Sequence, residues 1–162
     1  VATAASGAHR VLVSQVWGAV FPRAMLQSSA LCTMACALPL GIGHALAEPR
    51  RPVVVFVGDA GLEMGLGELA TLRDLGLPVI VCVLVDESLA LIELKQRAGQ
   101  RANVGVDFGG TDFPALARAM GGHGVWVDDT ETLAREARAA LARGTYTLLA
   151  CRIGRRAYDG KF

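Results

Sequence analysis

The chain is short of charge. Only 19% of its 162 residues are Asp, Glu, Lys or Arg, and the formal net charge is +1. That balance leaves no basic footprint for nucleic acid. Long apolar runs are missing too. Charges and prolines interrupt every candidate before membrane-spanning length, so no membrane partner is expected. Disorder is excluded by the opposite shortage: with 52% hydrophobic residues there is too little polar sequence to stay unfolded. The four cysteines, Cys32, Cys36, Cys82 and Cys151, lack the spacing of a disulfide scaffold and lie in apolar surroundings. They are expected to be reduced core thiols in a cytoplasmic protein. No repeat or low-complexity segment interrupts residues 1–162, which are expected to form a single domain. Because the chain starts at Val1 rather than Met, it is expected to be the C-terminal part of a longer enzyme.

Two short apolar runs each end in an acidic turn. Residues 53–57 lead into Gly58-Asp59-Ala60-Gly61, and residues 79–84 lead into Val85-Asp86-Glu87-Ser88. A helical pattern over 64–75 and then Leu77-Pro78 lie between them. The pattern predicts strand, turn, helix, strand. A right-handed crossover brings the two acidic ends side by side, at the edge where ligands of open α/β sheets bind. Two oxygen ligands there, near a helix N-terminus, suit a hard cation carrying a phosphate ester. Elsewhere the pattern predicts strands over 1–5, 124–127 and 146–153, and helices over 8–17, 33–48, 89–96, 113–120 and 130–142. Asp112 is a good cap for the fourth of these helices. The 33–48 helix is so apolar that burial on all sides is expected. Gln27-Ser28-Ser29 reads as a polar turn, and 97–110, rich in Gly and Asn, as a loop. Alternating strands and helices predict an α/β fold, a doubly wound parallel sheet with helices on both faces.

These residues resemble the C-terminal, diphosphate-binding domain of thiamine diphosphate enzymes, in particular the acetolactate synthase and benzoylformate decarboxylase group. The signature of that family is Gly-Asp-Gly, a spacer, then Asn-Asn; here it is Gly58-Asp59-Ala60 and then Val85-Asp86. Met34-Ala35-Cys36-Ala37-Leu38-Pro39 is similar to its Met-Gly-x-Ala-Leu-Pro segment. Glu68-Leu69-Ala70-Thr71 and Leu77-Pro78-Val79 match its crossover helix and the entry to its next strand. The resemblance covers about 6–152 and implies the thiamine diphosphate-binding fold.

The resemblance assigns roles residue by residue. Asp59 and Asp86, with the backbone carbonyl of Ser88, become ligands of a Mg²⁺ that bridges to the diphosphate; Asp86 stands where the family has Asn. Without the resemblance, Asp59 could simply cap a helix and Asp86 could be a turn carboxylate. Gly58, Ala60 and Gly61 follow as diphosphate contacts, with Gly61 expected to supply the turn that Ala60 disfavours. Ser6, Gly7 and His9 correspond to the segment at the other end of the diphosphate; a lone His there could equally be a capping residue. Met34 aligns with the apolar wedge between the cofactor rings, although a Met on a helix is ordinarily core. Cys32 aligns with the backbone that holds the pyrimidine. Ala30, Cys32, Ala35 and Ala60 replace family glycines, and the extra Cβ atoms are expected to crowd the cofactor. Glu63 and Glu87 read as solvated carboxylates near the site. Arg152, Arg155 and Arg156 read as a basic tail, solvated or against a neighbouring subunit. Cys32, Cys36 and His44 lack the spacing of a zinc site.

The family's activating glutamate lies on a separate pyrimidine-binding domain, which 162 residues cannot also hold. The resemblance therefore implies a cofactor-binding half, inactive alone, acting on 2-keto acids with that domain of the same protein or of a partner subunit, in a homo-oligomer. Two alternatives stay open: a separate subunit of a sulfopyruvate or phosphonopyruvate decarboxylase, and a non-catalytic module that kept the fold.

Overall fold

The computed structural model describes residues 1–162. Its elements run β1 (Ala2–Ala4), α1 (Ala8–Val16), β2 (Met25–Gln27), α2 (Ala37–Ala47), β3 (Val54–Gly58), α3 (Asp59–Glu63), α4 (Glu68–Asp74), β4 (Ile80–Val85), α5 (Ala90–Ala98), α6 (Phe113–Ala119), β5 (His123–Val127), α7 (Thr130–Ala140) and β6 (Thr147–Arg152). The six strands form one sheet in the order β2-β1-β3-β4-β6-β5, and every pairing is parallel. This is the expected α/β architecture. No helix is long and apolar enough to cross a membrane.

A parallel sheet must cover both faces, and the side-chain alternation of the strands divides the core accordingly. Val55, Val57, Val81, Val83 and Leu148 point to one face, where Leu38 and Ile42 of α2, Leu69 and Leu72 of α4, and Phe113 and Ala117 of α6 meet them. Ile80, Cys82, Leu149 and Cys151 point to the other face, against Ala137 and Ala140 of α7. Trp17, just past α1, packs edge-on against Phe56 on that second face. The central strand β4, Ile-Val-Cys-Val-Leu-Val, is apolar throughout because both its faces are covered. Full burial of each such side chain contributes about 1.5–3 kcal/mol.

Topology places the site. The chain leaves β1 outward to β2 and then crosses back to β3 on the other side of β1. The reversal opens a crevice between the carboxyl ends of β1 and β3, where ligands of such sheets bind.

The structure corrects several expectations. Met25–Gln27 is a strand, so Gln27 belongs to an edge strand rather than a turn. The second helix starts at Ala37 and is not buried all round: Pro39, Gly43 and Leu46 face solvent. The crossover is two helices, α3 and α4, broken at the Gly65–Gly67 turn. Asp129, accepting the Thr132 amide at 2.7 Å, caps α7. Asp112 caps α6 as expected, accepting the Ala115 amide at 3.1 Å. Cys82 and Cys151 are core thiols, with their sulfurs 3.6 Å apart, whereas Cys32 and Cys36 are only half-buried.

Helix α6 lies directly on β5 because Gly124 has no side chain. A Cβ there would stand 2.5 Å from the Pro114 carbonyl oxygen and 2.6 Å from the Pro114 Cα. Backbone cannot rotate aside, so Gly124→Ala is expected to cost about 1–3 kcal/mol by overpacking. Denaturant unfolding checks this; parent-like stability would show that α6 has slack on the sheet.

Candidate cofactor cleft

The crevice is a cleft of about 660 Å³, counting its open mouth. Ser6, Gly7, Ala8 and His9 line it from the end of β1. Gly58, Asp59, Ala60 and Gly61 line it from the end of β3, and Asp86 and Ser88 from the end of β4. Met34 and Leu89 to Ile92 supply apolar walls, and Tyr158 enters from beyond β6. Of the residues assigned in sequence to the cofactor or metal, Cys32 alone does not line the cleft.

Asp59 ties the two acidic ends together. Its Oδ1 accepts the Ala60 amide at 2.9 Å, and its Oδ2 accepts the amides of Asp86 and Glu87 at 3.1 and 2.7 Å. Glu87 adopts φ 55°, so the chain turns through the left-handed region directly after these two amides. Asp86 in turn accepts the Ser88 amide at 3.3 Å. The carboxyl of Asp59 is 4% exposed. Burial pushes its pKa up, the three amides oppose that, and Glu63 adds to it. Asp86 is pushed up to about 6, first by burial and then by the charge of Asp59. Two neighbouring carboxylates, one of them raised by the charge of the other, make a corner short of positive charge. No three His, Cys, Asp or Glu side chains converge into a complete metal cage. Mg²⁺ does not need one: it is commonly held by one or two carboxylates plus phosphate oxygens and water.

The opposite wall carries an unpartnered ring nitrogen. His9 is 6% exposed, and its Nε2 is buried without a partner. An orphaned buried nitrogen is costly unless something completes it. Its ring packs over Gly7, where φ is 153° and a Cβ would stand 2.6 Å from the imidazole Cε1. Gly58 leaves the ring room as well, with a Cβ there at 3.4 Å from the same carbon. Gly7 is thus required by conformation and by contact together.

The glycine replacements resolve differently from expectation. Ala60 and Gly61 both lie in α3, and neither has a positive φ, so no glycine turn is needed at Ala60. Gly61 is required for space instead: a Cβ would stand 3.0 Å from the Met34 carbonyl oxygen, which packs against this turn. Cys32 does sit in the left-handed region, at φ 49°. Its sulfur turns aside, taking the Arg10 guanidinium at 3.1 Å and reaching the Ser28 carbonyl at 3.3 Å. Cys32 thus keeps its side chain out of the cleft, whereas Ala60 is one of its lining residues.

Other expectations change in part. Glu63 is not simply solvated, since the Thr111 hydroxyl donates to it at 2.5 Å; Glu87 is exposed. The basic tail is paired within the chain. Arg155 meets Asp107, Arg156 meets Glu93 at 3.3 Å, and Arg152 meets Asp128 at 3.0 Å while stacking on Trp126. Sequence reading missed Glu93 and Tyr158. Glu93 reads as one more polar residue on a helix, and Tyr158 as one more residue of a tail. Only the tertiary fold reveals that both are buried.

Residues 5–151 match the family described as thiamine pyrophosphate enzyme, C-terminal TPP binding domain. The chain belongs to that family. It is 35% identical over 142 residues to the acetolactate synthase large subunit of Parasynechococcus marenigrum, covering 83% of this chain and 23% of that protein. It is 33% identical over 132 residues to a probable 2-ketoarginine decarboxylase of Pseudomonas aeruginosa, covering 81% of this chain and 24% of that one. Among solved structures it is similar to the thiamine diphosphate-dependent 4-hydroxybenzoylformate decarboxylase of Rhodococcus jostii. That match has a TM-score of 0.69 and 27% identity, over 74% of this chain and 23% of the other. The chain therefore spans less than a quarter of the length of these relatives.

Two measurements follow for this thiamine diphosphate-binding domain. Burial drives the His9 pKa down to about 4. A depressed folded-state pKa gives stability that is complete above the unfolded value near 6.5 and is lost as pH falls toward 4, amounting to about 3 kcal/mol by linkage. His9→Gln is expected to flatten that part of the stability profile; an unchanged difference between pH 7 and pH 4 would show that His9 titrates normally. For Cys32, glycine and alanine both remove the sulfur, so comparing them isolates the backbone. Cys32→Gly is expected to be more stable than Cys32→Ala by on the order of 1 kcal/mol. Equal stabilities in thermal unfolding would mean that φ is not positive there.

Proposed function

We propose that this domain binds thiamine diphosphate through a Mg²⁺ held by Asp59, Asp86 and the Ser88 carbonyl, as the cofactor half of an acetolactate synthase-like enzyme acting on 2-keto acids. One observation carries the reading. The carboxylates of Asp59 and Asp86 and the unpartnered Nε2 of His9 line one cleft at the sheet's reversal point. A divalent cation balances the carboxylates and brings a diphosphate with it.

When bound, thiamine diphosphate supplies the carbanion chemistry by which 2-keto acids lose carbon dioxide and are coupled to an acceptor. The chain's own residues bind and orient. Gly7 lets the His9 ring lie against the backbone at this end of the cleft. Ala60 and Gly61 bring the first turn of α3 to the same group. Met34, braced against Gly61, forms the apolar wall under the rings, and Cys32 precedes it in the strained turn. Leu89 to Ile92 restrict water on the facing side. No side chain in the cleft takes the role of the activating glutamate, which is supplied by a pyrimidine-binding domain of the same protein or of a partner subunit. Apolar surface supports that division: Leu31 beside the Met34 segment is 86% exposed, and Met64 just past α3 is 65% exposed. Such residues near a ligand cleft suit a protein interface, including one within a homo-oligomer. The unpaired thiols support a reducing, cytoplasmic setting. A separately encoded decarboxylase subunit would use the same cleft in the same way. A non-catalytic module would keep this fold without turnover, and cofactor binding with and without Mg²⁺ separates it from the other two.

Binding of thiamine diphosphate is expected to require a divalent cation and to be lost in Asp59→Ala. Calorimetric titration with and without chelator reads both. Binding of equal strength in chelator, or an Asp59→Ala chain with parent affinity, would end the assignment.

A further inference from the structure

The second face of the sheet, against α7, carries two thiols that the cofactor site does not use. Cys82 stands on β4 opposite Leu149, and Cys151 stands on β6 opposite Leu84. Side chains alternate along a strand, so the two cysteines are diagonal neighbours on one face. Their sulfurs are 3.6 Å apart. Ile80, Val127, Ala140 and Leu149 complete an apolar surround. One such thiol would be an ordinary small core residue. Two in contact, brought together from opposite ends of the chain, can react with each other. Cys32 has no such contact, because its sulfur is taken up by Arg10 and Ser28.

The surroundings decide what the pair can do. A tetrahedral metal needs four ligands, and no third His, Cys, Asp or Glu joins the two sulfurs. A disulfide needs only the pair, and it leaves no charge in an apolar interior. The two thiols are not equivalent. Cys82 lies mid-strand in the central strand β4, whereas Cys151 is one residue from the exposed end of β6. The bond from Cys82 moves the Cys151 thiol below its usual pKa, while the same contact, and then burial, push Cys82 up. A thiol that ionises more readily, beside a partner that can resolve it, is the arrangement of redox-sensing cysteines.

We infer that Cys82 and Cys151 form a reversible thiol–disulfide site whose oxidant is a small hydroperoxide, with Cys151 attacking and Cys82 resolving. The Cys151 sulfur attacks one peroxide oxygen, the O–O bond breaks, and water leaves a sulfenic acid behind. The Cys82 sulfur then attacks the Cys151 sulfur, the S–O bond breaks, and a second water leaves. Two thiols are oxidised to one disulfide, and one hydrogen peroxide is reduced to two waters. A small uncharged oxidant suits the site, since a charged one would lose its hydration on entry. Closure has to draw the sulfurs in from 3.6 Å to about 2.05 Å while the β4–β6 ladder holds their backbones. A disulfide closed against such a ladder is readily reduced again. Transient disulfides of this kind are compatible with a reducing compartment. The site is independent of what the cleft binds.

The test exposes the folded protein to hydrogen peroxide, then denatures it in an alkylating reagent and reads its mass and peptides. Loss of two hydrogens is expected, with two fewer thiols alkylated and a linked peptide joining Cys82 to Cys151. A dithiol reductant is expected to restore both thiols. Cys36→Ser is expected to keep the link, and Cys82→Ser and Cys151→Ser are each expected to lose it. In Cys82→Ser the sulfenic acid has no resolving partner, so a sulfenic acid reagent is expected to label Cys151. If a serine variant fails to fold, the linked peptide in the parent decides. Peroxide that oxidises Cys32, Cys36 or methionine and leaves Cys82 and Cys151 unlinked overturns the inference. So does a link from either residue to Cys32 or Cys36, or oxidation of Cys151 that the reductant does not reverse.

Discussion

The carboxylate of Asp59 is the joint on which the cleft depends. By accepting three backbone amides it fixes the end of β3 to the turn after β4. Sheet pairing alone sets the register only as far as Gly58 beside Leu84. Beyond that point the strands have ended and nothing periodic holds the chain. Asp59 extends the order by one turn, into Asp86, Glu87 and Ser88. Charge-assisted bonds to amides are stronger than neutral ones, which suits a carboxyl that burial would otherwise neutralise. The residue proposed as a metal ligand is therefore also the residue that shapes the corner around it.

The glycine replacements show what the fold asks of each position. A family glycine can serve conformation, space, or neither. At Gly7 it serves both. At Gly61 it serves space alone, because the Met34 carbonyl is too close for a Cβ. At Ala60 neither applies, since the backbone is helical, and alanine is the better helix former. At Cys32 conformation applies and glycine is absent, so the chain carries a left-handed non-glycine residue next to its cofactor segment. The contacts of its sulfur with Arg10 and Ser28 offset part of that cost. Substitution at a motif position thus says little until the backbone demand there is known.

Much of the fold was legible because its strongest signals are one-dimensional. β3 and β4 are apolar runs bounded by turns, and Asp112 precedes its helix at capping distance. The acidic strand ends read correctly because crossover handedness converts sequence order into spatial adjacency. What escaped depends on tertiary context. β2 is three residues long and half-buried on a sheet edge, too short to show alternation. The break between α3 and α4 follows from glycines that a hydrophobic period cannot see. Glu93 and Tyr158 were missed for a deeper reason. The glutamate gathers partners from residues 88 and 103 on either side and from residue 156 far along the chain, and no periodic pattern encodes that meeting.

Three acidic side chains, Asp59, Asp86 and Glu93, crowd one corner of a sheet otherwise packed with valine and leucine. Glu93 is compensated by Arg156, Asn103 and Ser88, whereas Asp86 has only one weak amide. The uncompensated charge lies on the cleft side and the compensated charge lies behind it. Stability is thus withheld where a cation can restore it and supplied where the scaffold must hold its shape. Any cation that binds the folded chain better than the unfolded one stabilises it by mass action. The same imbalance that underlies the proposed cation site costs the domain some of the stability its core supplies. That exchange is tolerable because β4, which carries Asp86 at its end, is buried on both faces along its length.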